Sequence, residues 1–286
     1  MVKYKDWLIK VFIYLTLIVV LAIVFRIAYF IVKNGINELN IDFLLDNPKG
    51  MPLGTEGGIK NAILGSFALM AFAMIFSAIL GVSCAMYNVI YCQSKAIHTI
   101  ISLTVQCISS IPSIILGLFV YGFFIVSLNV PTSLLTASIT LGLMVFAFVE
   151  IKIEKAIEDV DRQFIKDSHY LGVDNTYMSR KLILPLIKEN IITTSILAGS
   201  YAIGATAPIM MTGVVYMADS PRSLLKPVMA LPFHLHMLLS QAVKVEKAYA
   251  TALVLIIILI ILHVVSELIM RNIGGVIVEY FRAKKS

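Results

Sequence analysis

Lys166–Pro185, KDSHYLGVDNTYMSRKLILP, is a charged stretch set between two long apolar runs. Its pattern predicts a short helix, a break at Gly172, a second short helix, and a proline that starts the next apolar segment. A short helix of this kind, lying across the face of a larger body, is suited to dock into a groove on another protein. The plainer alternative is a solvated connector. What decides between them is what flanks the stretch.

Apolar runs of about 20 residues mark transmembrane helices. They are read here at Leu8–Val32, about Ala62–Tyr91, about Ile97–Leu128, about Ser133–Val149, about Ile191–Met211 and about Ala248–Met270. The third run is longer than one span needs. It reads as one span with a break near Ser109-Ser110-Ile111-Pro112, the other form being an interfacial helix followed by a spanning one. The chain is 59% hydrophobic and 14% charged over 286 residues, with mean hydropathy +0.92. A soluble domain carries about 25% charged residues, so this chain has too little polar material to cover a globule in water. The expectation is an all-α integral membrane protein with six transmembrane helices. The first run far exceeds a signal-peptide core of about 7–15 residues, so it is expected to be a retained helix.

Six spans put both termini on one side. With the termini in the cytoplasm, the inner segments hold about 15 basic residues and the outer loops about 7. Both termini are therefore expected to be cytoplasmic, and Arg26 is left to snorkel to the interface. The chain divides into residues 1–61 (first helix and an irregular external loop), 62–270 (the five-helix core) and a basic tail, 271–286. Within the core, a cytoplasmic loop covers about 150–189 and an external loop about 214–247. Glu150, Lys152, Glu154, Lys155, Glu158, Asp159, Asp161 and Arg162 alternate in sign, which suits a helix reaching into water. Apart from Glu267, no acidic residue is expected deep in a span.

The net charge of +6 is taken as a topology signal, because no basic stripe interleaved with aromatics points to nucleic acid. Cys84, Cys92 and Cys107 form no CxxC and read as buried thiols. His234-x-His236 lacks a third ligand for zinc. No Walker A sequence, nucleophile elbow or dinucleotide fingerprint occurs. No cofactor, metal or catalytic residue is expected.

The glycine-to-proline half of the opening stretch resembles the loop of ABC-transporter permeases that inserts a helix into the ATPase subunit. Gly172, Leu182, Leu184 and Pro185 match that pattern, while Lys166-Asp167-Ser168 stand where the family usually has Glu-Ala-Ala. Other segments are similar to phosphate permeases of the PstA type: GGIKNAILGSF (57–67), SSIPSIILGLF (109–119), GATAPIMMTG (204–213), and LPFHLHMLL followed by EKAYATALVL (246–255). The resemblance runs from about residue 40 to 260 in the same order. It implies a type I ABC importer permease fold with a coupling loop formed by Lys166, Asp167, Ser168, Gly172, Leu182, Leu184 and Pro185. It also implies a homologous permease as heterodimer partner, a dimeric cytoplasmic P-loop ATPase, and an extracytoplasmic phosphate-binding protein. ATP hydrolysis then belongs to a partner, and this chain is not an enzyme.

Candidates for the substrate path are Ser109, Ser110, Pro112 and Ser113 at one break, and Tyr201, Gly204, Ala205, Thr206, Pro208 and Thr212 at another. Tyr201 and Ala205 stand where relatives carry an arginine and a glutamate, so this chain brings no charge there. Pro208 frees a backbone carbonyl and permits a kink. Phosphate import is the expected function. Import of another oxyanion or small solute is the alternative; a secondary transporter or a non-transporting sensor ranks lower.

Overall fold

The computed structural model describes residues 2–50, 56–160, 168, 170–241 and 244–283. Five helices are long and apolar enough to cross a membrane, and a sharply bent pair brings the number to six. In chain order they begin with α1 (Val2–Gly35), followed by a short helix α2 (Ile41–Leu45). Next come α3 (Lys60–Met86), α4 (Lys95–Ser110), α5 (Ser113–Val120) and α6 (Leu134–Glu158). The last three are α7 (Asn175–Ile203), α8 (Leu231–Gln241) and α9 (Val245–Ala283). π-helical turns prolong α3 over Tyr87–Tyr91 and α5 over Tyr121–Ser127, and occupy Met178–Ile183 within α7. Pro48–Lys49 pairs antiparallel with Glu56–Gly57 in a two-stranded ribbon before α3.

The core is the packing of α3, α6 and α7. On α6 the buried residues Leu141, Val145, Val149, Ile153 and Ile157 recur every four residues, the spacing of one helix face. They meet Leu69, Ala73 and Ala85 of α3 and Ile183, Ile187 and Ala198 of α7. A second cluster at the opposite end joins Phe43, Ile59, Ala62, Met229, Leu231, Ala250 and Val254. By contrast α1 lies on the outside: its apolar side chains are exposed along the helix, and Phe30 meets Tyr249 of α9 edge-on at 5.4 Å. In lipid an apolar exterior is the stable arrangement, because every backbone group is already bonded within the helix.

The third apolar run is broken where expected, between Ser110 and Ser113. Its arms, α4 and α5 with its π-helical continuation, meet at 101°. Ile111 before the proline is extended (φ −72°, ψ 127°), as a residue preceding proline prefers, and Pro112 cannot donate to α4. α4 thus turns sharply across α5, the geometry of a broken span or a re-entrant loop.

Two expected boundaries also move. The fourth span does not end at Val149: α6 continues to Glu158, and at about 1.5 Å per residue its 25 residues reach about 37 Å, beyond the roughly 30 Å hydrocarbon core. The fifth span does not run to Met211: α7 begins at Asn175 and stops at Ile203, and Gly204–Met211 is non-helical apart from a 3-10 turn, Ala207–Ile209. Pro185 therefore does not start a new helix. It sits in the first turn after the π-helical stretch, whose wider hydrogen bonding lets the helix pass through it.

Candidate coupling loop and candidate transport path

At one end of the bundle, the α6–α7 connection carries the candidate coupling residues. Lys166 and Asp167 lie outside the described residues. Ser168 is buried, and Val173 N–H donates to its carbonyl at 3.0 Å. Between them Tyr170 and Leu171 are 85% and 82% exposed. Gly172 follows with φ +74° and nothing within 4 Å of the position a Cβ would take, a left-handed conformation that glycine adopts without strain. The chain then enters α7. Asp174 Oδ2 accepts from Thr176 N–H at 3.0 Å, and these bonds to the first turn hold its carboxyl below the usual carboxylate range. Leu182 and Leu184 pack half-buried against the core, Ile183 between them is buried, and Pro185 is exposed. Ser179 Oγ donates to Tyr91 Oη at 3.1 Å, linking the start of α7 to the end of α3.

Next to this loop is a polar junction that sequence reasoning missed. Asn88 Nδ2 donates to Glu154 Oε1 at 2.9 Å and to Ser102 Oγ at 3.3 Å, and His98 Nε2 stands 3.5 Å from Glu154 Oε1. These contacts seat α4 on α3 and α6. Glu150, expected to be solvated, is fully buried, and neither carboxyl oxygen has a hydrogen-bond partner among the described residues. Glu189 is also buried, so the expectation that only Glu267 lies deep does not hold. The signal was present: Glu150 falls three residues before Ile153 and seven before Ile157, on the buried stripe of α6. The cysteine expectation fails in part, since Cys107 is exposed on α4 and the other two are half-buried.

The candidate path residues fall into two groups. Ser109 and Ser110 each donate to Gln106 O at 2.8 Å, within their own helix, the common state of a hydroxyl in an apolar helix. Pro112 caps α5 and Ser113 begins it. At the α7 break, Tyr201 is 71% exposed and Gly204 is also exposed. Ala205 and Thr206 are half-buried, whereas Pro208 and Thr212 are buried. The structure brings the two breaks together through Gly117. A Cβ there would lie 2.5 Å from Pro208 O and 2.9 Å from its Cα, so only glycine permits this approach.

Thr212 is buried and ties the α7 break to the start of α6. Its carbonyl accepts from Ser133 N–H at 3.1 Å and from Thr136 Oγ1 at 2.6 Å. Ser133 and Thr136 also form a capping box at the start of α6. The next two amides, of Leu134 and Leu135, donate to Lys226 O and Leu224 O at 2.8 and 2.9 Å. The 212–226 segment thus satisfies the free N–H groups of the α6 N-terminus.

α8 occupies what was read as an external loop, and His234 is buried there, 5.7 Å from the Tyr216 ring. Burial first, and the charge of Lys247 second, lower its pKa from 6.5 to about 4. Among the described residues no group of three metal-ligating side chains converges.

Comparison with known proteins follows this geometry. Residues 77–275 match the family model described as binding-protein-dependent transport system inner membrane component. The chain is 26% identical over 255 residues to the probable phosphate transport system permease protein PstA of Methanocaldococcus jannaschii, covering 87% of this chain and 88% of that protein. It is 23% identical over 229 residues to the probable ABC transporter permease protein YqgI of Bacillus subtilis, covering 76% and 77%. A chain of a bacterial alginate ABC transporter, solved with an alginate pentasaccharide-bound periplasmic protein, shares the fold with TM-score 0.66 at 12% identity, over 94% of this chain and 96% of that one. The family model covers more than two thirds of the sequence, and the chain belongs to the family of inner membrane components of binding-protein-dependent transport systems.

Proposed function

We propose that this chain is one transmembrane half of an ATP-driven importer of inorganic phosphate, with both termini in the cytoplasm. The partners are a homologous permease, two copies of a P-loop ATPase and an extracytoplasmic phosphate-binding protein. The observation that carries the coupling role is the projecting Tyr170–Leu171 pair, set between buried Ser168 and the capped start of α7. A loop that exposes two large apolar side chains on a fixed base is built to enter a groove. Closure of the ATPase dimer then moves α7 and, through Tyr91–Ser179, α3. The path opens and closes where the α7 break meets α5. A ligand or nucleotide shifts such an equilibrium only through contacts that differ between the two states, and the ATPase supplies those contacts.

The phosphate assignment is supported by the names of the similar permeases. The absence of charge at Tyr201 and Ala205 favours a second reading, import of another oxyanion or small solute. Phosphate uptake by cells with and without the chain separates the two. Uptake that is unchanged while the complex assembles normally removes phosphate as the substrate. For the loop, Leu171→Asp in the full complex is expected to weaken ATPase retention more than tenfold, since burying a leucine side chain contributes about 1.5–3 kcal/mol. Full retention of the ATPase by this variant refutes the docking role.

A further inference from the structure

Many exposed positions on α5 and α9, among them Ile114, Ile115, Leu118, Ile257, Ile260 and Ile261, are aliphatic. The seam between α6 and α7 instead shows a lysine, a phenol and a helix end. Lys152 Nζ lies 6.0 Å from the centre of the Phe148 ring, one turn back on the same helix. The Phe148 ring lies 6.2 Å from that of Tyr201 on α7, tilted by 30°. Beyond Tyr201 the backbone opens at Gly204, where the nearest atom to an added Cβ is Tyr201 O at 3.9 Å. Among the described residues Lys152 makes no ion pair.

These positions share one side of α6. Phe148 and Lys152 are related by i, i+4, while Val149, Glu150 and Ile153 point into the core. A cation on an aromatic face keeps its charge available on the far side, and a phenol hydroxyl is a donor to an anion. Ionisable side chains in membrane bundles generally face the bundle interior or a water-filled cavity.

We infer that Lys152, Phe148 and Tyr201 form an oxyanion subsite on the wall of the substrate path, with Lys152 supplying the charge and Tyr201 a hydrogen-bond donor. This rests on the reading of the chain as an importer of phosphate or a related oxyanion. Phe148 acts as a positioning residue, fixing the lysine relative to the phenol. A phosphodiester headgroup offers the same chemistry as free phosphate, so the test separates them.

The test uses the full complex in inside-out vesicles, on a background with Cys84, Cys92 and Cys107 replaced by serine. Tyr201→Cys is titrated with a membrane-impermeant anionic thiosulfonate, with and without millimolar inorganic phosphate. The expected result is modification that phosphate slows at least fivefold, with protection lost when Lys152→Gln is added. No modification means that the seam faces lipid or a partner, and equal modification with and without phosphate means that Lys152 meets headgroups or nothing; either overturns the subsite. In uptake assays Lys152→Gln is expected to lower the phosphate rate at least tenfold and Lys152→Arg to stay within threefold of the parent. Lys155→Gln, which removes a neighbouring charge away from Phe148 and Tyr201, is expected to stay within twofold. Equal rates for Lys152→Gln and Lys155→Gln refute the assignment. A parent complex that imports a different oxyanion, with protection by that anion, retains the subsite and removes only phosphate.

Discussion

Gly117→Ala tests the contact on which the two helix breaks depend. The added methyl would stand 2.5, 2.9 and 3.0 Å from the carbonyl oxygen, Cα and carbonyl carbon of Pro208. These are backbone atoms and cannot swing aside. Pro208 O also accepts from Thr212 Oγ1 at 3.2 Å, and Thr212 is tied in turn to the cap of α6. Relief requires α5 to move away by about 0.5–1 Å, at the cost of about 1–3 kcal/mol expected for overpacking. Helix propensity works the other way, favouring alanine by up to about 1 kcal/mol. Gly122 provides the control, since an added Cβ there meets nothing within 4 Å. The quantity to read is the gap between the two variants in the purified complex. At about 2–4 °C per kcal/mol, Gly117→Ala should melt roughly 2–12 °C below Gly122→Ala. Uptake should fall in the first variant and persist in the second. Equal melting temperatures, or a more stable Gly117→Ala, would show that α5 and the Pro208 segment do not pack as described.

Three further outcomes follow from the same geometry. Gly172→Pro should abolish transport without preventing membrane insertion, because proline fixes φ near −65° where the chain needs +74°; normal uptake by an intact complex refutes it. Thr136→Val should lower stability by about 1–3 kcal/mol, measured by thermal unfolding, because it removes the Oγ1 donor to Thr212 O and leaves that buried carbonyl with one bond fewer. His234 is neutral when folded down to about pH 4. The unfolded chain takes up a proton below 6.5, so stability is unaffected above that pH and falls between 6.5 and 4 by roughly 3 kcal/mol in all. His234→Phe should flatten that slope, and an unchanged acid dependence would place the titrating group elsewhere.

The helices were legible because apolar length is a global signal that lipid enforces: α3 follows the expected span closely, and α9 begins near the expected residue but continues to Ala283. Their ends were less legible. α6 continues into charged sequence because alternating Glu and Lys support a helix in water, and α7 starts early at Asn175, where Asp174 caps its first turn. The end of α7 at Ile203 was hidden because Ala-Thr-Ala-Pro-Ile-Met-Met reads as apolar helix by hydropathy, and only the packing of Pro208 on Gly117 shows the break. The turn between α6 and α7 was legible through Gly172, which adopts φ +74°, but the exposed Tyr170–Leu171 pair looked like any apolar dipeptide. Lys152 and Glu150 illustrate the same limit. Two residues apart in a charge-alternating run, they face opposite sides of α6, and only the helix phase separates a buried carboxyl from an open ammonium.

The cap of α6 also bears on how the protein is made. Residues 133–135 leave the ribosome well before the 212–226 segment whose carbonyls accept their amides. During synthesis α6 therefore spends the time needed to add some eighty residues with a frayed first turn. Nascent chains that stop before Thr212 should present this unfinished turn to membrane quality control, which can then discriminate between partial and full-length products at a single site.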